Sequence, residues 1–73
     1  MWYVYIVRCV DRTLYTGVAR DLAARIEAHN EGRGAKYTRS RRPVKLVYQE
    51  TAADRGAALR REHSIKRLTR AEK

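Results

Sequence analysis

Cysteine and proline occur once each, at Cys9 and Pro43, phenylalanine is absent, and glycine appears four times in 73 residues. Each scarcity removes a class of protein. A lone cysteine cannot close a disulfide within the chain, and without a CxxC pair or an HExxH motif no familiar zinc site is visible. Cys9 sits in a strand-like apolar run, where a reduced, packed thiol is the simple reading and fits a reducing compartment. Gly32 and Gly34 are too sparse to form a phosphate-cradling loop. No apolar run approaches the ~18 residues that cross a bilayer, so no membrane partner is expected. A strand pattern begins almost at Met1, leaving no room for a signal peptide, and a cytoplasmic protein is expected.

Acidic residues are also few. Eight Asp and Glu face 17 Lys and Arg, for a formal charge of +9, and Arg outnumbers Lys 13 to 4. The guanidinium fork suits phosphate, so a polyanionic partner, nucleic acid, is expected over a merely solubilising surface. Charge says nothing about catalysis. The length allows one domain, residues 1–73, with a modest core.

Trp2 to Cys9 is rich in β-branched and aromatic residues and reads as a strand. Asp11-Arg12 is a turn, and Thr13 to Val18 reads as a second strand, completing a hairpin. Asp21 can cap a helix from Leu22 to about Glu31, which Gly32 would end. Gly32 to Arg42 reads as a loop, Val44 to Gln49 as a third strand, and Asp54 can cap a helix over about Arg55 to Leu68. There are no repeats and no long linker. The order β-β-α-β-α predicts an α+β fold, a small three-stranded antiparallel sheet flanked by helices.

The hairpin loop decides whether Tyr5 and Tyr15 can cooperate. A two-residue loop puts them on opposite faces; a three-residue loop with a bulge puts them on one. The residues alone leave both open. Arg25 and His29, four apart, share a helix face at the rim of the Leu22/Ile26 stripe. By themselves they read most simply as an exposed arginine and a capping histidine. In the second helix Ala58, Leu59, Ile65 and Leu68 define an apolar arc, and Glu62 falls inside it. A carboxylate there calls for a cation, a metal or several donors. An i,i+4 pair with Lys66 and a metal ligand are equally consistent. His63 points further round, to the surface. The loop carries Lys36, Tyr37, Arg39, Arg41 and Arg42 beside Arg33, with no acidic residue. Cations around a ring suit a nucleic-acid strand, phosphates on the cations and a base on the ring.

Together these residues resemble the GIY-YIG nuclease superfamily, and within it the small single-domain bacterial endonuclease-like group (UPF0213-like). The carriers are Tyr3-Val4-Tyr5 at the GIY position and Tyr15-Thr16-Gly17 at the YIG position. Arg25 and His29-Asn30 follow, then Gly34-Ala35-Lys36-Tyr37-Thr38-Arg39 before Arg42-Pro43-Val44, and Leu59-Arg60-Arg61-Glu62 with Ile65-Lys66. The resemblance spans nearly the whole chain. Tyr3 replaces the glycine of GIY and Thr16 the isoleucine of YIG; both tyrosines and the final glycine are kept. The chain stops at Lys73, and the extra C-terminal helix or binding domain of many superfamily nucleases is not expected.

The resemblance implies a bulged hairpin with Tyr5 and Tyr15 on one face. It implies metal-dependent hydrolysis of phosphodiester bonds, with DNA as the expected substrate. Glu62 becomes the ligand of a divalent cation, with Mg²⁺ expected, and Arg25 the clamp on the phosphate. Tyr5 becomes the general base, Tyr15 orients water or phosphate, and His29 relays the proton or bonds a phenol. A phenol with a pKa near 10 is a poor base at neutral pH, so Arg25, the metal or a second base must assist it. Lys36, Tyr37, Arg39, Arg41 and Arg42 line the nucleic-acid groove. The competing readings are a non-catalytic nucleic-acid-binding module and a nuclease subunit that needs a targeting protein partner.

Overall fold

Trp2–Arg8 forms the central strand β1 of a three-stranded antiparallel sheet, flanked by β2 (Leu14–Ala19) and β3 (Lys45–Ala52) in the order β2-β1-β3. The helices are α1 (Leu22–Asn30), α2 (Lys36–Arg39) and α3 (Arg55–Ala71). The computed structural model describes residues 1–71, with side chains through residue 67. The α+β class and the three strands agree with the sequence reading. Most bounds shift by a residue, β3 runs past Gln49 to Ala52 and α3 past Leu68 to Ala71, and the segment read wholly as loop contains the one-turn helix α2. Four residues are too few to show a helical period, which is why the pattern missed it.

The hairpin takes the bulged form. Cys9 N–H donates to Thr13 O at 2.8 Å and Arg12 N–H donates to Cys9 O at 2.9 Å. Arg12 adopts the left-handed conformation, φ 70°, that a three-residue loop with a bulge requires. Asp11 holds the turn by accepting from the Thr13 N–H at 3.1 Å and from its hydroxyl at 2.6 Å. The resulting register pairs Tyr5 with Gly17 and Val7 with Tyr15. Since alternate residues share a face, Tyr5 and Tyr15 rise on the same side.

Both faces of the sheet are covered. Tyr5, Val7 and Cys9 pack with Ala19, Val44 and the half-buried Leu22 and Ile26 of α1. Val4 faces the other way, against Ala58 and Ile65 of α3 with Trp2, Ile6 and Val18 around them. Leu68, expected on the same arc of α3, has its side chain outside the described residues. Each fully buried valine contributes about 1.5–3 kcal/mol, so these two thin layers are the main favourable contribution to stability.

The helix ends are set by local chemistry. Asp21 accepts from Ala24 N–H at 3.1 Å at the start of α1, and Asp54 accepts from Ala57 N–H at 2.8 Å at the start of α3. Past α1, Gly32 at φ 84° lets the chain reverse, with Arg33 N–H donating to Ala28 O at 2.8 Å and Gly32 N–H to His29 O at 3.2 Å. Asn30 then ties the helix end to β3: its Oδ1 accepts from Val44 N–H at 2.7 Å and its Nδ2 donates to Val44 O at 3.3 Å.

Candidate active site

The register places the Tyr5 ring over Gly17, and the fit is close. A Cβ at position 17 would lie 2.5 Å from Tyr5 Oη and 2.7 Å from its Cζ, so only glycine leaves room for the phenol. From there Tyr5 reaches α1: Oη lies 2.8 Å from His29 Nε2. His29 Nδ1 lies 2.7 Å from Thr38 Oγ1, which lies 3.0 Å from Ala35 O. Tyr5 is 2 % exposed, His29 1 % and Thr38 0 %, so this polar chain is built into the core. His29 is therefore not a surface cap at the end of α1. Its ring turns inward because Gly34 clears space for it: a Cβ at 34 would come 2.7 Å from His29 Cγ and 2.8 Å from its Cα.

The chain of hydrogen bonds has a direction. A carbonyl can only accept, so the single hydroxyl proton of Thr38 goes to Ala35 O. Reversing it would set two oxygen lone-pair regions against each other. Thr38 must then accept from His29, which puts a proton on Nδ1. Burial, and secondarily the Arg25 guanidinium, holds the His29 pKa below its ordinary value, which favours the neutral ring. A neutral ring protonated on Nδ1 has its lone pair on Nε2, and there the Tyr5 hydroxyl donates. The lone pairs of Tyr5 Oη face away from the histidine.

Burial also pushes the Tyr5 phenol well above its usual pKa, the Tyr15 phenol adds to this, Arg25 pulls it down, and the Glu62 carboxylate pushes it up again. The fields of Arg25, from α1, and Glu62, from α3, thus both reach the Tyr5 oxygen. Arg25 is exposed, and among the described residues its guanidinium makes no hydrogen bond or ion pair. Glu62 is a half-buried carboxylate, its side chain 19 % exposed, 3.4 Å from the Lys66 ammonium. The ion-pair reading of Glu62 is thus correct as far as it goes, and the pair leaves the carboxylate at the site. Among the described residues no group of three acidic, His or Cys side chains could enclose a metal ion. A lone carboxylate instead fits a hard cation such as Mg²⁺, which keeps several waters and takes its remaining oxygens from a substrate phosphate.

Tyr15 anchors the rim. Its ring meets His29 edge-on at 5.4 Å between centroids, stacks on Tyr37 at 5.9 Å, and has the Lys66 ammonium 5.9 Å from its centre. Tyr37, 39 % exposed, also carries the Arg41 guanidinium 4.2 Å from its ring centre, so its faces are less free for a base than the sequence suggests. Three of the loop cations are occupied. Arg41 donates to Asp11 Oδ2 at 3.0 Å and to Tyr37 O at 2.8 Å, while Arg42 donates to Arg39 O at 3.0 Å and Asn30 O at 3.4 Å. Arg33 pairs with Glu31. Lys36 and Arg39 are exposed. His63 is on the surface, as expected. A groove of about 820 Å³ lined by Tyr3, Leu22, Ile26 and Leu46 touches none of the candidate catalytic side chains.

Residues 1–73, the whole chain, match the family described as the GIY-YIG catalytic domain. The chain belongs to the GIY-YIG family. It is 58 % identical over 71 residues to a UPF0213 protein of Staphylococcus epidermidis, covering 97 % of this chain and 87 % of that one. UPF0213 proteins of Staphylococcus aureus match to the same extent. The solution NMR structure of a UPF0213 protein from Bacillus halodurans superposes with a TM-score of 0.58 at 42 % identity, covering 99 % of this chain and 78 % of that one. GIY-YIG is a nuclease superfamily, and membership gives the tyrosine pair its context: Tyr5 and Tyr15 are the second and first tyrosines of its two tripeptides as they stand here.

Sequence reasoning missed three members of this cluster. Thr38 and Gly34 lie inside the Gly34–Arg39 stretch that carried the family resemblance, yet neither residue type signals a role by itself. Their function appears only once α2 is seen to bring the hydroxyl against His29. Lys66 was taken only as a partner for Glu62, and it also reaches the Tyr15 ring.

Proposed function

We propose that this GIY-YIG protein is a metal-dependent nuclease that hydrolyses phosphodiester bonds of DNA. The observation that carries the reading is the directed chain from Tyr5 through His29 to Thr38, in a family of nucleases. A phenol with so high a pKa cannot itself act as a base from its ionised form at neutral pH. The chain removes the difficulty. As an attacking water gives a proton to Tyr5 Oη, Tyr5 passes its own proton to His29 Nε2, and the acceptor is an imidazole kept neutral by burial. Tyr5 is the group in contact with water and His29 the final base. Arg25 holds the phosphate and offsets the charge that develops on it. Glu62 would hold the divalent cation. When bound, such a cation neutralises charge on the phosphate and the departing oxygen. Tyr15, fixed by three neighbours, aligns water or phosphate at the rim, and the exposed Lys36 and Arg39 supply positive charge from α2.

The test is incubation of the purified protein with labelled single-stranded, duplex and branched DNA, with Mg²⁺ or with EDTA. Glu62→Ala and Tyr5→Phe proteins run alongside, their folding checked by circular dichroism. The expected result is metal-dependent cleavage, lost in both folded variants. Binding without cleavage, indifferent to EDTA and to either substitution, would overturn the reading and leave a binding module or a subunit that needs a targeting partner.

A further inference from the structure

The loop that looks richest in phosphate contacts spends much of its charge on the protein itself, and the uncommitted arginines stand elsewhere. Arg20, at the end of β2, Arg25 on α1 and Arg55 at the first position of α3 line one cleft of about 470 Å³, with Trp2 and Val18 in its wall. The one carboxylate there, Asp21, is engaged in capping α1 through Ala24 N–H. Among the described residues none of the three guanidinium groups has a carboxylate or carbonyl partner. Arg20 makes only a contact over the Trp2 ring, 5.8 Å from its centre.

Three exposed guanidinium groups that line one concave surface and, among the described residues, have no acidic partner make a local excess of positive charge with donors free for an anion. One of the three is Arg25, whose field reaches the Tyr5 phenol. A backbone held at Arg25 is therefore already at the mouth of this cleft. We infer that the Arg20–Arg55 cleft is a second phosphate subsite, taking the phosphodiester next to the one held at Arg25, with Trp2 against the sugar or base between them. The inference rests on the nuclease reading for its substrate but not on cleavage for its test. It sets the direction of the strand, which leaves the reacting phosphate toward the start of α1 and α3 rather than along the α2 loop.

Trp2 is the only tryptophan in the sequence, so tryptophan emission, excited to the red of the five tyrosines, reports on this wall alone. The experiment uses Glu62→Ala protein in EDTA, titrated with a short fluorescein-labelled oligodeoxynucleotide and, separately, with inorganic phosphate. Affinity is read by anisotropy, and location by Trp2 emission with an unlabelled oligonucleotide. Adding Arg20→Ala and Arg55→Ala together should weaken oligonucleotide binding about tenfold and flatten the log–log salt dependence by roughly 0.7, the loss of one phosphate contact. The control removes the same charge from the far end of the sheet, Arg8→Ala with Lys45→Ala, a cross-strand pair beside another basic cleft. That variant should bind within twofold of its parent. Equal weakening in the two double variants would mean generic attraction and overturn the proposal. So would Trp2 emission that responds to inorganic phosphate but not to the oligonucleotide, which would mark a free-anion site. If wild-type protein cleaves nothing while these binding results hold, the cleft stands and only the catalytic reading falls.

Discussion

Replacing Gly17 by alanine tests the central packing of the site with a single methyl group. The added Cβ would sit 2.5 Å from Tyr5 Oη, 2.7 Å from Cζ and 3.1 Å from Cε2. Carbon contacts settle at about 3.5–4.0 Å, so the ring must withdraw by about 1 Å. The hydroxyl starts 2.8 Å from His29 Nε2, and a displacement of that size, toward the ring or away from it, takes the pair outside hydrogen-bond geometry. Overpacking of this kind costs about 1–3 kcal/mol, and leaving a buried hydroxyl and imidazole unsatisfied costs about 1–3 kcal/mol more. A domain of this length has about 4–11 kcal/mol in total, so the variant should be visibly less stable while still folding in the cold. Urea unfolding gives the number, and a double-mutant cycle with Tyr5→Phe gives its origin. Removing Oη abolishes the closest contact but leaves Cζ in place, so the Gly17→Ala penalty should shrink by about 1 kcal/mol in the Phe background. Strict additivity of the two changes, or a Gly17→Ala protein within a few tenths of a kcal/mol of wild type, would refute the account of that glycine.

The titration of the buried pair should be visible in stability. Because the folded His29 pKa lies below its unfolded value of about 6.5, the unfolded chain takes up the proton first as pH falls. Its contribution is complete above that value and is lost below it, so wild type should lose more stability than His29→Gln between pH 7 and 5 in urea melts at stepped pH. Tyr5 is shifted upward, so the opposite limb applies: wild-type stability should fall above about pH 10, and Tyr5→Phe should blunt that fall. Thr38→Val should cost about 1 kcal/mol and move His29 away from the Nδ1–H form, read from its ring ¹⁵N shifts, while Thr38→Ser should restore the shifts; an unchanged tautomer in the valine variant would sink the directed chain. Gly34→Ala should reach the same His29 shifts by a different route, since its methyl would press on the His29 ring and backbone.

How much of this was legible beforehand depends on the range of the interaction. The strands, the caps at Asp21 and Asp54 and the turn at Gly32 are properties of neighbouring residues, and the sequence reading of them holds. The bulged hairpin was one of two parities, and Arg12 carries the positive φ that selects it, a choice the family resemblance made before the coordinates did. The burial of His29 was not legible from helix geometry, which puts residue 29 at a rim. Its inward turn depends on Gly34 and Thr38, five and nine positions later and joined only by the fold. The charge of the loop misled for a related reason. Arg33, Arg41 and Arg42 look like phosphate contacts until their acceptors appear: some are neighbours two to four positions away, which only the local backbone geometry reveals, and others, Asp11 for Arg41 and Asn30 O for Arg42, are brought in by the fold.

Tyr5 shows why the site and the fold cannot be varied independently in so small a protein. Its ring is part of the core layer with Val7, Cys9, Ala19 and Val44, and its hydroxyl is the end of the polar chain. A chain of 73 residues with two thin apolar layers has little room for a separate scaffold. Burying three polar side chains is tolerable here because each is satisfied: among the described residues no buried side-chain polar atom lacks a partner. The same burial keeps His29 neutral and able to accept a proton. It follows that truncating Tyr5, His29 or Thr38 to alanine confounds loss of chemistry with loss of core, whereas Tyr5→Phe removes only the hydroxyl and Thr38→Ser keeps the hydroxyl and gives up only a methyl group. If the chain is catalytic, Tyr5→Phe should abolish cleavage while leaving the protein folded. Thr38→Ser should retain cleavage, because serine can accept from Nδ1 and donate to Ala35 O just as threonine does. A Thr38→Ser protein that folds, keeps the His29 tautomer and yet fails to cleave would show that the hydroxyl chain is a packing device and not the route of the proton.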